Sequence, residues 1–270
     1  MNKIRFHWMH RYSWSNTLPD LLDMSKTMEE NNIYSVLLPY GHGGTDFMFF
    51  ATDLIKATTK LKFMFALRAY MITPEYAAKI FRTSGLWQQN TYGNDRSCLN
   101  LVAGNLTPDE EVFVLENMTI NTDFMDTHPK RVKYTDSWLE KFIKLVDNYR
   151  PELYTVGSSD ETLKIAQKYS DYLITGRVKL FNEEFIANRK GQKLVIIIDP
   201  LIIDHPDDLD KVEYYSDKKT RNHDFIGNLE QAIKWIKDMS IEHDVYDYMI
   251  HTDLKDISKL LQLSKLISEQ

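Results

Sequence analysis

The chain has a single cysteine in 270 residues, Cys98, so no disulfide can form within it and a reducing compartment is the simpler expectation. Long apolar runs are also missing. Even LVIII at 194–198 and LII at 201–203 are separated by Asp199 and Pro200 and fall far short of the roughly 20 residues a membrane helix needs. The first fourteen residues, MNKIRFHWMHRYSW, carry charged or polar side chains every few positions and offer no apolar stretch for a signal peptide. A cytoplasmic protein is therefore expected. Excess positive charge is absent: the net charge is −6, with both signs interleaved along the chain, so neither nucleic acid nor an anionic membrane is an expected partner. The glycines form no GxGxxG and no P-loop, and no GxSxG elbow occurs, which removes support from Rossmann-type nicotinamide binding and from serine hydrolysis. No internal repeat, low-complexity tract or linker interrupts the chain.

What is present is an ordinary globular composition, 43% hydrophobic and 12% aromatic, with a regular alternation of elements. Short β-branched or aromatic runs recur at 3–8, 33–38, 61–67, 98–103, 153–156, 171–174, 194–198 and 245–250. Most are followed by helical apolar spacing, introduced by Thr17-Leu18-Pro19, Thr73-Pro74 and Ser159 as start signals. The last helix is the clearest, with Leu254, Ile257, Leu260, Leu261, Leu263, Leu266 and Ile267 on one stripe. Eight strands alternating with helices predict an α/β fold in which parallel strands close into a (β/α)8 TIM barrel, one domain over 1–270, with a doubly wound open sheet as the runner-up. Two long connections, 104–133 after the fourth strand and 199–227 after the seventh, would lie on the catalytic face.

In such a barrel, residues just past the strand C-termini converge on one mouth. His10, His42 and His251 follow strands 1, 2 and 8, which become neighbours on closure. These imidazoles are candidates for acid–base chemistry or, in a third class of function, for a metal-dependent barrel hydrolase; as histidines at strand ends they also serve simply to bridge polar loops. The segment Tyr154 to Asp160, YTVGSSD, reads as strand, glycine turn and helix start, which aims backbone N–H groups, two hydroxyls and a helix dipole at one point and suits a phosphate; a plain Ser or Asp N-cap is the alternative. Gly41, His42, Gly43 and Gly44 make a flexible turn. Asp204, His205, Asp207 and Asp208, beside Pro206, read as a solvated loop, and no metal is assigned.

Several segments together resemble the luciferase-like flavin monooxygenases, especially the two-component alkanesulfonate monooxygenase branch. They are YSVLLPYGHGGTDFMFFATDLIKATTKLKFMFALRAYMITPEYAAKI at 34–80, LNLVAGNLTPDE at 99–110, THPKRVKYTDSWLEKF at 127–142, PELYTVGSSDETLKIAQKYSDYLITG at 151–176 and DFIGNLEQAIKWI at 224–236. The resemblance implies reduced FMN delivered by a separate flavin reductase, oxygen activation in a water-excluding pocket, a small organic substrate and a homo- or heterodimer. It also implies site residues. Gly157, Ser158 and Ser159 coincide with the family's phosphate turn, Val102, Ala103 and Gly104 would pass near the flavin ring, and His128 with Arg131 matches a segment that holds the flavin tail. His42 is the first candidate for setting protonation near the flavin, with His10 and His251 behind it.

The departures are specific. Gly44 stands where the alkanesulfonate branch has a cysteine, Ile198, Asp199 and Pro200 align with its Arg-x-His pair, Val132 replaces a tyrosine, and the insertion after strand 7 is reduced to about 199–227. Alkanesulfonate is therefore not the expected substrate. A flavin-dependent monooxygenase and a flavin-binding or structural subunit without catalysis are the two leading expectations.

Overall fold

The eight expected strand segments all form barrel strands, with ends shifted by no more than two residues. The structure, a computed structural model, describes residues 3–10, 17–39, 47–102, 127–203, 224–250 and 257–269. In chain order the elements are β1 (Arg5–Met9), α1 (Leu18–Glu30), β2 (Ser35–Leu38), α2 (Ala51–Ala57), β3 (Lys62–Arg68), α3 (Pro74–Tyr92), β4 (Ser97–Val102) and α4 (His128–Val146). There follow β5 (Glu152–Val156), α5 (Asp160–Tyr169), β6 (Tyr172–Gly176), α6 (Glu183–Asn188), β7 (Lys193–Ile198), β8 (Pro200–Ile202), β9 (Phe225–Gly227), α7 (Leu229–His243), β10 (Asp247–Ile250) and α8 (Ile257–Ser268). Strands β1–β7 and β10 close into a barrel, every neighbouring pair parallel, with β10 between β7 and β1. The open doubly wound sheet is thereby excluded.

The helix starts follow the local chemistry. Thr17 and Asp20 form a reciprocal capping box before α1, Thr73 accepts from the Tyr76 N–H ahead of Pro74, and Asn228 and Gln231 form a second capping box before α7. Each satisfies N–H groups that the first turn leaves without a partner.

Alternation along each strand sorts side chains into two populations. Phe6, Trp8, Val36, Leu38, Phe63, Phe65, Leu99 and Leu101 face outward and pack with the helices in the large core. The opposite parity fills the lumen, where Leu37, Met64, Ala66, Cys98, Tyr154, Ile174, Val195 and Met249 form a second cluster. The strands therefore read as near-continuous apolar runs, as expected for a parallel sheet buried on both faces.

The N-terminal end of the lumen is closed by charged groups. Arg5 clamps both oxygens of Asp247 at 2.6 and 2.8 Å and donates to the Tyr172 hydroxyl at 2.7 Å. Lys62 and the Tyr154 hydroxyl both bond to Glu152, and the Tyr34 ring lies under both the Arg5 guanidinium and the Lys62 ammonium. Burial pushes the pKa of Arg5 and Lys62 down, but their charged and hydrogen-bonded surroundings, with Asp247 and Glu152 among them, outweigh it and raise both. One level higher, His7 is fully buried between the Ser35 hydroxyl at 2.7 Å and Asp247 at 3.1 Å. This resembles a hydrolase triad in composition, yet Ser35 has no exposure and Asp247 is already neutralised by Arg5, so it ties β1, β2 and β10 together rather than offering a nucleophile.

One feature differs from the sequence expectation. The connection 199–227, expected as loop, carries the short parallel pair β8 and β9, with Pro200 opposite Phe225 and Ile202 opposite Gly227. Three-residue strands, one opened by proline, are too short to show a period of two. Asp224 fastens this pair to the barrel, accepting from the Asp199 N–H at 3.0 Å and from Arg177 Nε at 2.9 Å.

Candidate active site

The lumen parity decides which side chains look toward the C-terminal mouth. Met9, Leu37, Ala66, Val156 and Ile197 form an apolar floor. Asn100 interrupts it. It pairs in register with Ala66 on β3 and Tyr154 on β5, both lumen residues, so its side chain shares their side. Asn100 is only 2% exposed, and among the described residues its Oδ1 has no hydrogen-bond partner. A buried amide oxygen left unpaired costs about 1–3 kcal/mol, and so marks a place where a ligand donor would be gained at no loss of water contact. Arg68, the half-buried last residue of β3, has the same parity and adds a cation at the rim. Neither residue was singled out from the sequence. Asn100 lies inside the apolar run LNLV, where one polar residue reads as an interruption until the barrel assigns it a side.

The turn after β5 has the geometry that its sequence suggests. The Gly157 N–H donates to the Ile174 carbonyl at 3.1 Å, and its backbone adopts φ of +154°. A Cβ there would stand 2.7 Å from Thr162 Cγ2 and 2.9 Å from Thr162 Oγ1, so only glycine lets the strand turn this tightly over the first turn of α5. Ser159 is the N-cap of α5, accepting from the Thr162 N–H at 3.2 Å, with its hydroxyl 3.0 Å from that of Thr162. Ser158 is exposed, and among the described residues no hydrogen bond occupies its hydroxyl. The N-cap function expected as the alternative is thus present at Ser159, while Ser158 stays available.

The start of α4 lies beside this turn. Its N-cap Thr127 makes no side-chain cap, His128 and Arg131 are half-buried in the first turn, and Lys168 of α5 pairs with Asp136 of α4 at 3.2 Å. Glu161, in the first turn of α5, is held below the usual carboxylate range by its backbone amide and the Ser159 hydroxyl, with a further electrostatic contribution from His128. His128, Arg131, Gly157, Ser158 and Ser159 are therefore brought to one side of the mouth, between two helix N-termini. The positive ends of both dipoles and the two basic side chains favour an anion there, against the opposing charges of Asp160 and Glu161.

The histidines fare differently. His10 shares the outward parity of Phe6 and Trp8, and its ring meets Phe47 edge-on at 5.6 Å. It is 7% exposed, and burial lowers its pKa to about 4, so the ring is neutral at pH 7 and packs beneath the mouth on the helix side. His42, His251, Ala103 and Gly104 lie outside the described residues, as do Gly44 and the Asp204–Asp208 stretch. Among the described residues no group of three His, Cys, Asp or Glu side chains is placed to hold a metal. Where the family resemblance aligns an Arg-x-His pair, Ile198 is buried in the outer core and Pro200 opens β8. Among the described residues no helix is long and apolar enough to cross a membrane.

No family model matches the chain. Solved structures do. A long-chain alkane monooxygenase superimposes with a TM-score of 0.74 at 11% identity, over 100% of this chain and 91% of its own. A riboflavin lyase, solved with modified FMN and riboflavin, gives 0.75 at 12% identity, over 98% and 91%. The coenzyme F420-dependent tetrahydromethanopterin reductase of Methanopyrus kandleri gives 0.66 at 11% identity, over 99% and 98%. At these identities the likeness establishes the architecture alone, a (β/α)8 barrel.

Proposed function

We propose that the chain is a flavin-dependent oxidoreductase, a monooxygenase that uses reduced FMN and oxygen on a small organic substrate, the FMN being reduced by a separate reductase. The observation that carries this is the turn at Gly157, where a missing Cβ, a free Ser158 hydroxyl and a helix N-terminus adjoin the basic first turn of α4. Of the similar structures, the riboflavin lyase was solved with modified FMN and the Methanopyrus kandleri reductase is coenzyme F420-dependent.

The residues present fit such a cofactor on two observations: the cradle that a Cβ on Gly157 would fill, and the orphaned Asn100 Oδ1 in the lumen. Ser158, Ser159 and Gly157 would hold the phosphate, with Arg131 supplying positive charge and His128 a ring N–H. Asn100 would accept from a ring N–H, and Ala103 and Gly104, just beyond β4, would line the ring. When bound, reduced flavin supplies the electrons with which oxygen is activated. The chain's own work is to orient and to exclude water: Met9, Leu37, Ala66, Val156 and Ile197 make the floor of the mouth apolar around Asn100. His42 is proposed to hold or move the proton near the reacting atoms, with His251 as the next candidate. His10, neutral and packed on Phe47, ranks behind both.

A second proposal, a flavin-binding subunit without turnover in a homo- or heterodimer, is favoured by one segment: Ile198, Asp199 and Pro200 lead into β8 instead of presenting a basic pair. Titration with oxidised and reduced FMN, alongside F420, is the test. Saturable FMN binding with substrate-dependent oxygen uptake supports the monooxygenase, binding without uptake the subunit, and absence of any flavin binding overturns both.

A further inference from the structure

The opposite, N-terminal end of the barrel holds a basin of about 520 Å³, within the range of small-ligand sites. Its floor is the Arg5–Asp247 clamp, which is electrically balanced. Its walls come from the α6–β7 and α7–β10 turns, where Gly191 and Asp244 adopt left-handed backbone with φ of +78° and +51°. Around the wall stand Lys3, Arg189 and Lys193 against one carboxylate, Asp244.

The pairing of these cations is unlike that of their neighbours. On the same end of the barrel Arg5 is matched to Asp247, Lys62 to Glu152 and Arg150 to Asp171. Among the described residues, Lys3, Arg189 and Lys193 have no carboxylate partner: Arg189 spends one N–H on the His243 carbonyl at 3.1 Å, and the Lys193 ammonium stands 5.5 Å from the Tyr172 ring centroid. An adjoining space shares Gly191, Gln192 and Lys193 and adds Lys190 together with Asp171, the latter already paired with Arg150. A chain of net charge −6 thus gathers uncompensated positive charge in one concavity, on the barrel face that ordinarily carries only stability.

We infer that this basin is a second binding site, separate from the mouth, for a small molecule bearing a phosphate monoester or diphosphate. An excess of two positive charges on the wall matches a phosphate monoester, which carries about −1.5 to −2 at neutral pH. Lysine ammoniums meet phosphate as point charges, and the Arg189 guanidinium keeps N–H donors for a directed contact.

The test is calorimetric titration of the whole chain with inorganic pyrophosphate, in parallel with citrate, for the wild type, an Arg189→Gln/Lys193→Gln variant and a Ser158→Ala/Ser159→Ala variant. Lys193 is exposed and Arg189 half-buried, and thermal melts check that each variant is folded. The expected result is saturable pyrophosphate binding, tighter than citrate, weakened at least tenfold in the basin variant and unchanged in the serine variant. Absence of saturable binding, tighter binding of citrate, or loss in the serine variant with retention in the basin variant overturns the assignment. Only the last of these would speak for the phosphate turn at the mouth, so the two sites stand or fall separately.

Discussion

Gly157 and Thr162 are in mutual steric contact: the space a Cβ would need on Gly157 is occupied by the Thr162 side chain, and the same threonine's N–H is capped by Ser159. The tightness of the strand-to-helix turn and the start of α5 are therefore one structural unit. Gly157→Ala should destabilise the protein by about 1–3 kcal/mol, because φ of +154° disfavours an L side chain and Thr162 has to move. Urea unfolding at constant m-value measures this. A midpoint equal to that of the wild type would show that the turn relaxes freely and has no cradle.

Two serines one residue apart should separate binding from stability. Ser159→Ala removes the N-cap of α5 and should cost about 1 kcal/mol of folding free energy. Ser158→Ala removes an exposed hydroxyl that stabilises nothing within the described chain, so stability should be unchanged. If both touch a flavin phosphate, the double variant should bind FMN more weakly by roughly 1–3 kcal/mol. Equal FMN affinity in wild type and double variant would remove both from the site.

His10 should set the acid limb of the stability profile. Its folded pKa, about 4, lies below the ordinary histidine value of 6.5, so as pH falls through 6.5 the unfolded chain takes up a proton that the folded chain does not. The stabilisation is complete above pH 6.5 and is lost progressively down to pH 4, by about 3 kcal/mol in all. Asp247 acts in a separate window. Burial raises its pKa, but hydrogen bonds from His7 and Arg5 outweigh that and hold it below 3.8, so its contribution is lost only at still lower pH. His10→Gln should flatten the curve between pH 6.5 and 4. A variant curve parallel to wild type across that interval would exclude a buried, neutral His10.

Most of the fold was legible because it rests on local periodicity. Each strand is an apolar run bounded by polar turns, and Thr17, Thr73 and Ser159 announce their helices through cap chemistry that needs only near neighbours. The glycine turn and helix start after β5 were legible for the same reason: Gly157 to Asp160 is contiguous. Barrel closure was read from the eight alternating units; which side of the wall each strand-end side chain takes was not. His10 is one residue past β1, and a shift of one residue decides whether a strand-end side chain enters the mouth or, as found, packs on Phe47. Asn100 acquires meaning only through its register with Ala66 and Tyr154. The basin at the N-terminal end draws on Lys3, Arg189 and Lys193, whose separation in sequence hides that they meet.

His42 is open to a kinetic test. If it handles a proton at the reacting atoms, His42→Ala should leave FMN affinity nearly unchanged and lower coupled product formation by about 10²–10⁴-fold, the range for losing a positioned acid or base. Oxygen uptake should continue, with hydrogen peroxide released in place of product. Normal coupling in the variant would reduce His42 to a turn residue and pass the role to His251.

Asn100 offers the sharpest separation of function from stability. Among the described residues its buried Oδ1 has no partner, and replacing it with a hydrocarbon of similar shape removes that penalty, so Asn100→Leu should raise stability by about 1–3 kcal/mol. The same change deletes the acceptor proposed for a flavin ring N–H, so FMN affinity should fall by a similar amount. A residue kept for packing would move the two quantities together, whereas one kept for a ligand moves them in opposite directions. Thermal unfolding and FMN titration on the same preparation decide it. A less stable Asn100→Leu protein that binds FMN as tightly as wild type would show that the amide serves the barrel and not the cofactor.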